Sequence, residues 1–458
     1  MAKKTACDLL IRNAHILTCD KKNAAYTDGA IAIRGRDIVA VGPDKAIVAK
    51  YEAARSIDAR RGLVHPGFID MHYHLTFHMV GKMIAEADFG GEDPGPWVAD
   101  QYTRLINAVE DEEEYASSLL LGLDMLKSGV TSIMDPGSAF EPDNLARASD
   151  ALGFRVSVAD PWLLDEKGPQ ISDIRRATIG RKAAIKGLGK QLWRNKDKNS
   201  RVRAHISVYG MGNDSDELRL AAKHCADRNK VPFNMHQSQS VDDAEFDDRR
   251  FGKHPLVHFE DIGLLDKNCV FVHMNVLRPD EIDPVIDSGL SIVWSPTNSW
   301  YYGARQTVKT PFPSLHKRGV NICIGLDVSK AASFGDQIYT AYLLARDQNE
   351  YISPTDLLRM YTINGAKALM MDKEIGSLEA GKRADIVIRN NDTPEAWPRH
   401  NAVRHQLLLA KSRTVDTVLV DGEVLVKGGR LTRMDESAIY ESADKAARIM
   451  RKRAGLRG

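Results

Sequence analysis

Residues 62–74 read Gly-Leu-Val-His-Pro-Gly-Phe-Ile-Asp-Met-His-Tyr-His, a short apolar strand whose end carries His72 and His74 two positions apart. Side chains alternate along a strand, so this spacing predicts that Asp70, His72 and His74 share one side, with both imidazoles facing a lumen. Seven more short apolar segments follow, at 129–135, 153–160, 201–210, 231–237, 269–275, 289–295 and 319–327. Stretches with helical spacing, such as 111–129 and 216–230, lie between them. Strands that are apolar throughout and alternate with helices form parallel sheets buried on both faces. Eight of them favour a closed α/β architecture, a (β/α)8 TIM-like barrel, over an open sheet.

Outward from this middle, the pattern changes at both ends. Residues 8–43 carry period-2 runs with Gly35-Arg36-Asp37 at a reversal, and 384–426 carry two more with Asp421-Gly422 as a hairpin turn. The expected organisation is a small composite β-sandwich built from 1–62 and 376–432, and a barrel over 63–375. A C-terminal helix over 433–458 with a basic last stretch completes it.

The chain has 458 residues, 27% charged and 43% hydrophobic, and its 63 Lys and Arg against 62 Asp and Glu give a net charge of +1. That balance offers no field for nucleic acid or an anionic membrane surface. No apolar run approaches the ~18 residues of a membrane span, and the amino terminus lacks the pattern of a secretory signal. The five cysteines are scattered outside any Cys-x-x-Cys, as in reduced core thiols. A cytoplasmic enzyme acting on a small molecule, without nucleic-acid or membrane partners, is the expectation.

Barrel enzymes carry their reactive groups where strands end. The fifth predicted strand ends at His236, the sixth at His273 and the eighth at Asp327. A His-x-His pair alone is weak, since 14 His in 458 residues produce one by chance roughly 0.4 times. His236 or His273 alone reads equally as a core histidine, and Asp327 as a helix N-cap. Their coincidence at strand ends of one barrel decides for a metal site. The other histidines fail the same test: His205 lies mid-strand, His254 and His258 flank Pro255, and His224 and His316 lie in helical stretches. Imidazoles with one carboxylate suit a borderline divalent ion such as Zn²⁺.

The segment 66–74 resembles the Pro-Gly-x-Ile-Asp-x-His-x-His opening of the amidohydrolase superfamily. Residues 376–390, GSLEAGKRADIVIRN, resemble that superfamily's return to its small β domain. The similarity is strongest to the branch of chlorotriazine hydrolases, phenylurea and thiocarbamate hydrolases, and guanine and adenosylhomocysteine deaminases. The resemblance implies one divalent metal, zinc first with cobalt, manganese or iron also suited, on His72, His74, His236 and Asp327. It gives His273 as a fifth ligand or a contact to the reacting water, and Asp327 and His273 as the catalytic pair. A bridging lysine at the end of strand four, which binuclear relatives use, is replaced here by Tyr209-Gly210.

Deaminases of this branch carry His-x-x-Glu where this chain has His236-Gln237-Ser238-Gln239. A carboxamide has no titratable proton, so Gln239 cannot act as general acid or base. Either another residue, such as His273, Asp242 or Asp243, takes over the proton transfer, or the expected reaction shifts toward cleavage of a C–N or C–S bond in a small neutral carbamate, thiocarbamate or urea. The alternative is deamination or dechlorination of a heterocycle such as a purine, pterin or triazine. Expected substrate contacts are Gln239, Phe77, Asn298, Trp300 and Tyr301. His78 and Lys82, four and eight residues past His74, are expected on one helical face at the pocket. Relatives are commonly oligomeric, so a homodimer or homotetramer is expected.

Overall fold

A computed structural model describes residues 3–84, 95–168, 174–302, 311–330 and 332–456. The two chain ends meet in one nine-stranded sheet. Its central strand, Thr5–Leu17, pairs antiparallel with Ala25–Arg34 and parallel with Tyr51–Asp58 and Leu63–Pro66. The late strand Ile386–Arg389 adds to Leu63–Pro66, with Val387 opposite His65, and Val415–Val420 and Glu423–Lys427 follow outward. Leu9, Ile11, Ile31 and Ile33 from the amino-terminal strands share an apolar cluster with Ile386, Ile388 and Leu419 from the far end. Burial of that shared surface holds segments nearly 400 residues apart in the chain.

The middle of the chain supplies eight parallel strands: β1 (Phe68–Asp70), β2 (Val130–Met134), β3 (Arg155–Val158), β4 (Val202–Ala204, resuming as Ile206–Gly210), β5 (Phe233–Gln237), β6 (Cys269–His273), β7 (Ser291–Trp294) and β8 (Asn321–Ile324). Strands β1 to β4 pair in order, and so do β4 to β8. The seam between β8 and β1 closes through Met71 N–H to the Ile324 carbonyl at 3.0 Å and Asp327 N–H to the His72 carbonyl at 2.8 Å. The fold is thus the (β/α)8 barrel that the eight apolar segments predict. Its interior is packed by Ile69, Met71, Met134, Val270, Val272, Val293 and Cys323, over a floor that includes Ile363, Ala366 and Leu369. All five cysteines are buried and unpaired.

The helix Glu436–Arg453 is capped by Asp435, whose side chain accepts from Ser437 N–H at 3.0 Å, and it buries Ile439, Ala443, Ala446 and Met450. Arg453 in its last turn pairs with Glu113 at 2.9 Å, tying the helix to Asp111–Lys127. No helix among the described residues is long and apolar enough to cross a membrane.

His205 interrupts β4. Its N–H reaches the Val158 carbonyl at 3.0 Å, its Nδ1 lies 2.9 Å from Ser157 Oγ, and the ring is fully buried. Burial pushes its pKa down to about 3. Between about 3 and the ordinary value near 6.5 the unfolded chain binds a proton that the folded chain refuses. Stability contributed by the neutral ring is therefore complete above pH 6.5 and lost as pH falls, by ~1.4 kcal/mol per unit at most. The variant His205→Gln is expected to show a flatter decline of urea midpoint from pH 7 to 5 than the parent. Parallel declines in the two proteins would refute this assignment.

Candidate metal centre and its pocket

His72 and His74 leave β1, His236 ends β5, His273 ends β6 and Asp327 follows β8. One ligand nitrogen from each of His72, His74 and His236 lies within 4.8 Å of the others, and the same holds for one nitrogen each of His72 and His273 and a carboxylate oxygen of Asp327. His72 Nε2 and His74 Nε2 each stand 3.4 Å from Asp327 Oδ1. The rings of His74 and His236 are stacked at 5.2 Å, with their Nε2 atoms 3.2 Å apart. His236 Nδ1 lies 2.6 Å from the Tyr209 carbonyl, which can only accept, so the proton sits on Nδ1 and the Nε2 lone pair faces the cluster. A backbone carbonyl holding the outer nitrogen of a ligand imidazole is the usual way of fixing its tautomer. Both nitrogens of His72 and Nδ1 of His74 are buried and have no hydrogen-bond partner among the described residues. Of these, His72 Nε2 faces the cluster, and a buried imidazole nitrogen left unpartnered there is costly unless an ion engages it. The donor set fits a divalent cation.

Backbone conformation brings these groups together. In β6, Val270 and Val272 pair with Asn234 and His236, so the inward-facing positions are the valines, and His273 is out of phase. A left-handed backbone at His273 (φ 74°) and Met274 (φ 53°) turns its ring into the cluster, 5.5 Å from His72 and 5.6 Å from His236. Asp327 is left-handed too, with φ 71°. Such conformations cost about 1–3 kcal/mol each for a non-glycine residue and concentrate where function demands them. Gly210 (φ 87°) lets the chain pass His236, because a Cβ there would stand 1.9 Å from the His236 carbonyl oxygen.

Burial keeps three of these imidazoles neutral. It lowers His74 and His236 well below the ordinary range, with their neighbouring imidazoles adding to the effect, and brings His273 to about 3. Burial acts to raise the Asp327 carboxyl, but the imidazole of His72 beside it, helped by those of His273 and His74, holds it well below the usual carboxylate range. His74, His236 and His273 are therefore neutral donors beside one carboxylate, which is the protonation state a cation requires.

The expected contacts divide. Asn298 Nδ2 donates a short hydrogen bond to Asp327 Oδ2. The Phe77 ring stacks on His74 at 5.1 Å, and Tyr301 and Trp300 stand half-exposed on the helix Pro296–Tyr301. The Gln239 carbonyl accepts from Asn275 Nδ2 at 2.9 Å, and Asn275 Oδ1 accepts from Ser299 Oγ at 3.2 Å. His78 and Lys82 are a correction. His78 Nδ1 meets Tyr73 Oη at 2.7 Å and its Nε2 meets Lys82 Nζ at 3.1 Å, while Lys82 pairs with Asp124 at 3.2 Å. His78 thus bonds Tyr73 and Lys82 and is not among the grouped ligand atoms. Lys82 lines a different cleft, with Leu123, Lys127 and Tyr440. Asp70 also departs from the alternation: its oxygens are taken by Tyr361 Oη at 2.9 Å and Leu326 N–H at 3.0 Å.

Sequence reasoning missed several residues of the pocket. Trp162, just past β3, packs edge-on to His74 at 5.8 Å and to Tyr209 at 5.2 Å, and Tyr209 lies 4.7 Å from His236. Tyr102 meets Phe77 at 5.1 Å, and Lys330 Nζ lies over the rings of Tyr102, Tyr301 and Tyr302. The position of Trp162 and Tyr209 at strand ends was a readable signal. Nothing in the local sequence pointed to Tyr102.

A parallel barrel whose C-terminal rim gathers imidazoles and a carboxylate defines the class of metal-dependent barrel hydrolases. The pattern of the amidohydrolase family matches residues 63–425, and the chain belongs to that family. It is 25% identical over 449 residues to a 5-methylthioadenosine/S-adenosylhomocysteine deaminase of Thermoanaerobacter pseudethanolicus, covering 96% of this chain and 99% of the relative. An adenosine deaminase from Xanthomonas campestris with bound zinc superposes with a TM-score of 0.87 at 22% identity, covering 98% and 100% of the two chains. An atrazine chlorohydrolase from Arthrobacter aurescens complexed with zinc gives 0.80 at 23% identity, covering 96% and 100%.

Proposed function

We propose that the protein is a zinc-dependent deaminase of an amino-substituted nitrogen heterocycle. The expectation of a carbamate or thiocarbamate substrate rested on Gln239 together with the family resemblance, and the named activities of the similar proteins favour the heterocycle reading. The observation that carries it is the aromatic wall beside the ligand histidines. Phe77 stacks on His74, and Trp162 and Tyr209 extend the same surface. Flat aromatic faces complement a planar heteroaromatic ring better than an aliphatic thiocarbamate.

His72, His74, His236 and Asp327 would hold the ion, with His273 beside them. When bound, a divalent cation supplies Lewis acidity, which lowers the pKa of a water toward ~7. Asp327 accepts the proton of the attacking water, and Asn298 fixes the carboxylate by bonding its other oxygen. The neutral His273 orients the reacting oxygen. In the overall change water adds to the ring carbon, the C–N bond breaks, and ammonia leaves carrying the proton that Asp327 returns. Gln239 has no proton to give, so Asp327 performs both transfers.

The test is ammonia release by the zinc-loaded protein from adenosine, 5′-deoxyadenosine, methylthioadenosine, guanine, a pterin and an aminotriazine. At least one is expected to turn over, with activity lost on dipicolinate treatment and restored by zinc. Thiol release from a thiocarbamate with no ammonia from any of the six would overturn the proposal.

A further inference from the structure

We propose that Lys330 makes this pocket selective for substrates that carry an anionic group, a carboxylate or a phosphate, beside the reacting ring. The inference takes the location of the substrate from the metal-centre reading above, and adds its charge. Lys330 follows Asp327 by three residues and is half-buried at the rim. Its ammonium stands 4.1 Å from the centre of the Tyr302 ring, 5.3 Å from Tyr102 and 5.5 Å from Tyr301, and it donates to the Tyr302 hydroxyl. Burial lowers the pKa of this ammonium, and the three aromatic faces act against that by favouring its charged form.

No carboxylate among the described residues lies within ion-pair distance of Lys330 Nζ. The acidic group that acts on it is Asp327, and its own charge is felt by His74 and His273. Asp327 is committed to the metal centre, and both imidazoles are neutral. Within the ligand cluster Asp327 is the carboxylate that a bound divalent ion and Lys330 would share, which would leave positive charge in excess there. A neutral substrate leaves that excess uncompensated, whereas an anion placed between Tyr102 and Tyr302 forms a charge-assisted hydrogen bond with Lys330.

The experiment is calorimetric titration of the full-length, zinc-loaded protein with benzoate and with benzamide, probes of one shape and different charge. The parent is expected to bind benzoate about tenfold more tightly or better. Lys330→Met is expected to remove most of that preference, and Lys330→Arg to keep it. Zinc content and thermal midpoint establish that each variant is folded, and Lys330→Gln replaces the methionine variant if that one fails. Equal affinity for the two probes in the parent overturns the proposal. So does a benzoate preference that survives in Lys330→Met, which would place the anion on the metal alone. Ammonia release plays no part in this measurement, so it can fail for a proven deaminase and succeed for a protein that deaminates none of the six compounds.

Discussion

Asp327→Asn is expected to retain zinc and to lower kcat/KM for ammonia release by on the order of 10²–10⁴. The carboxylate has two duties in the proposed reaction. One oxygen faces His72 and His74 at 3.4 Å, where it completes the donor set, and the other is fixed by Asn298. Asparagine preserves shape and one donor oxygen but cannot accept the proton of the attacking water. Three imidazoles remain to hold the ion, so elemental analysis is expected to find zinc at or near the parental ratio. Loss of turnover with zinc in place would identify Asp327 as the base. Full turnover in a zinc-loaded variant would remove Asp327 from the chemistry and assign proton transfer elsewhere. Because its environment holds the carboxyl well below the ordinary range, Asp327 stays ionised as pH falls toward 5, and its protonation is not expected to limit the parent there.

Gln239→Glu is expected to raise ammonia release by on the order of 10². The backbone there is already anchored by Asn275, which Ser299 holds in turn, so the substitution changes chemistry while the strand end stays in place. A glutamate three residues past His236 supplies a second proton carrier, relieving Asp327 of protonating the departing amine. It also restores one negative charge to the pocket, so affinity for anionic ligands is expected to fall while turnover rises. Initial rates with the best compound of the six, measured for parent and variant at matched zinc content, decide the matter. An unchanged or lower rate would mean that Asp327 already serves both transfers without limiting the reaction.

Much of the barrel was legible because each strand carries its own signal. The apolar segments at 231–237 and 289–295 are buried on both faces, and such segments need no distant partner to be recognised. His236 could be placed by the same logic, since a strand end in a parallel barrel is a rim position. His273 was found for that reason too, although alternation by itself would have turned it outward; the left-handed turn after Val272 was invisible. Asp70 shows the opposite failure. Period two placed it with the imidazoles, and the Tyr361 hydroxyl and Leu326 amide claimed it instead. His78 and Lys82 were misplaced because helical spacing gives a face but not the direction in which the face looks.

The linear chain determined by itself that eight strands alternate with helices, that both ends are β-rich, and that His72, His74, His236 and Asp327 stand where strands stop. These follow from periodicity and from contacts between neighbours in the chain, which short windows contain. Only the closed barrel decided that Trp162 and Tyr209 wall the centre, that Asn298 grips Asp327, and that the ammonium of Lys330 sits among three tyrosines. Those arrangements join residues up to about 230 positions apart, and the angle at which each side chain arrives is set by strand tilt, register and left-handed turns that no short window encodes.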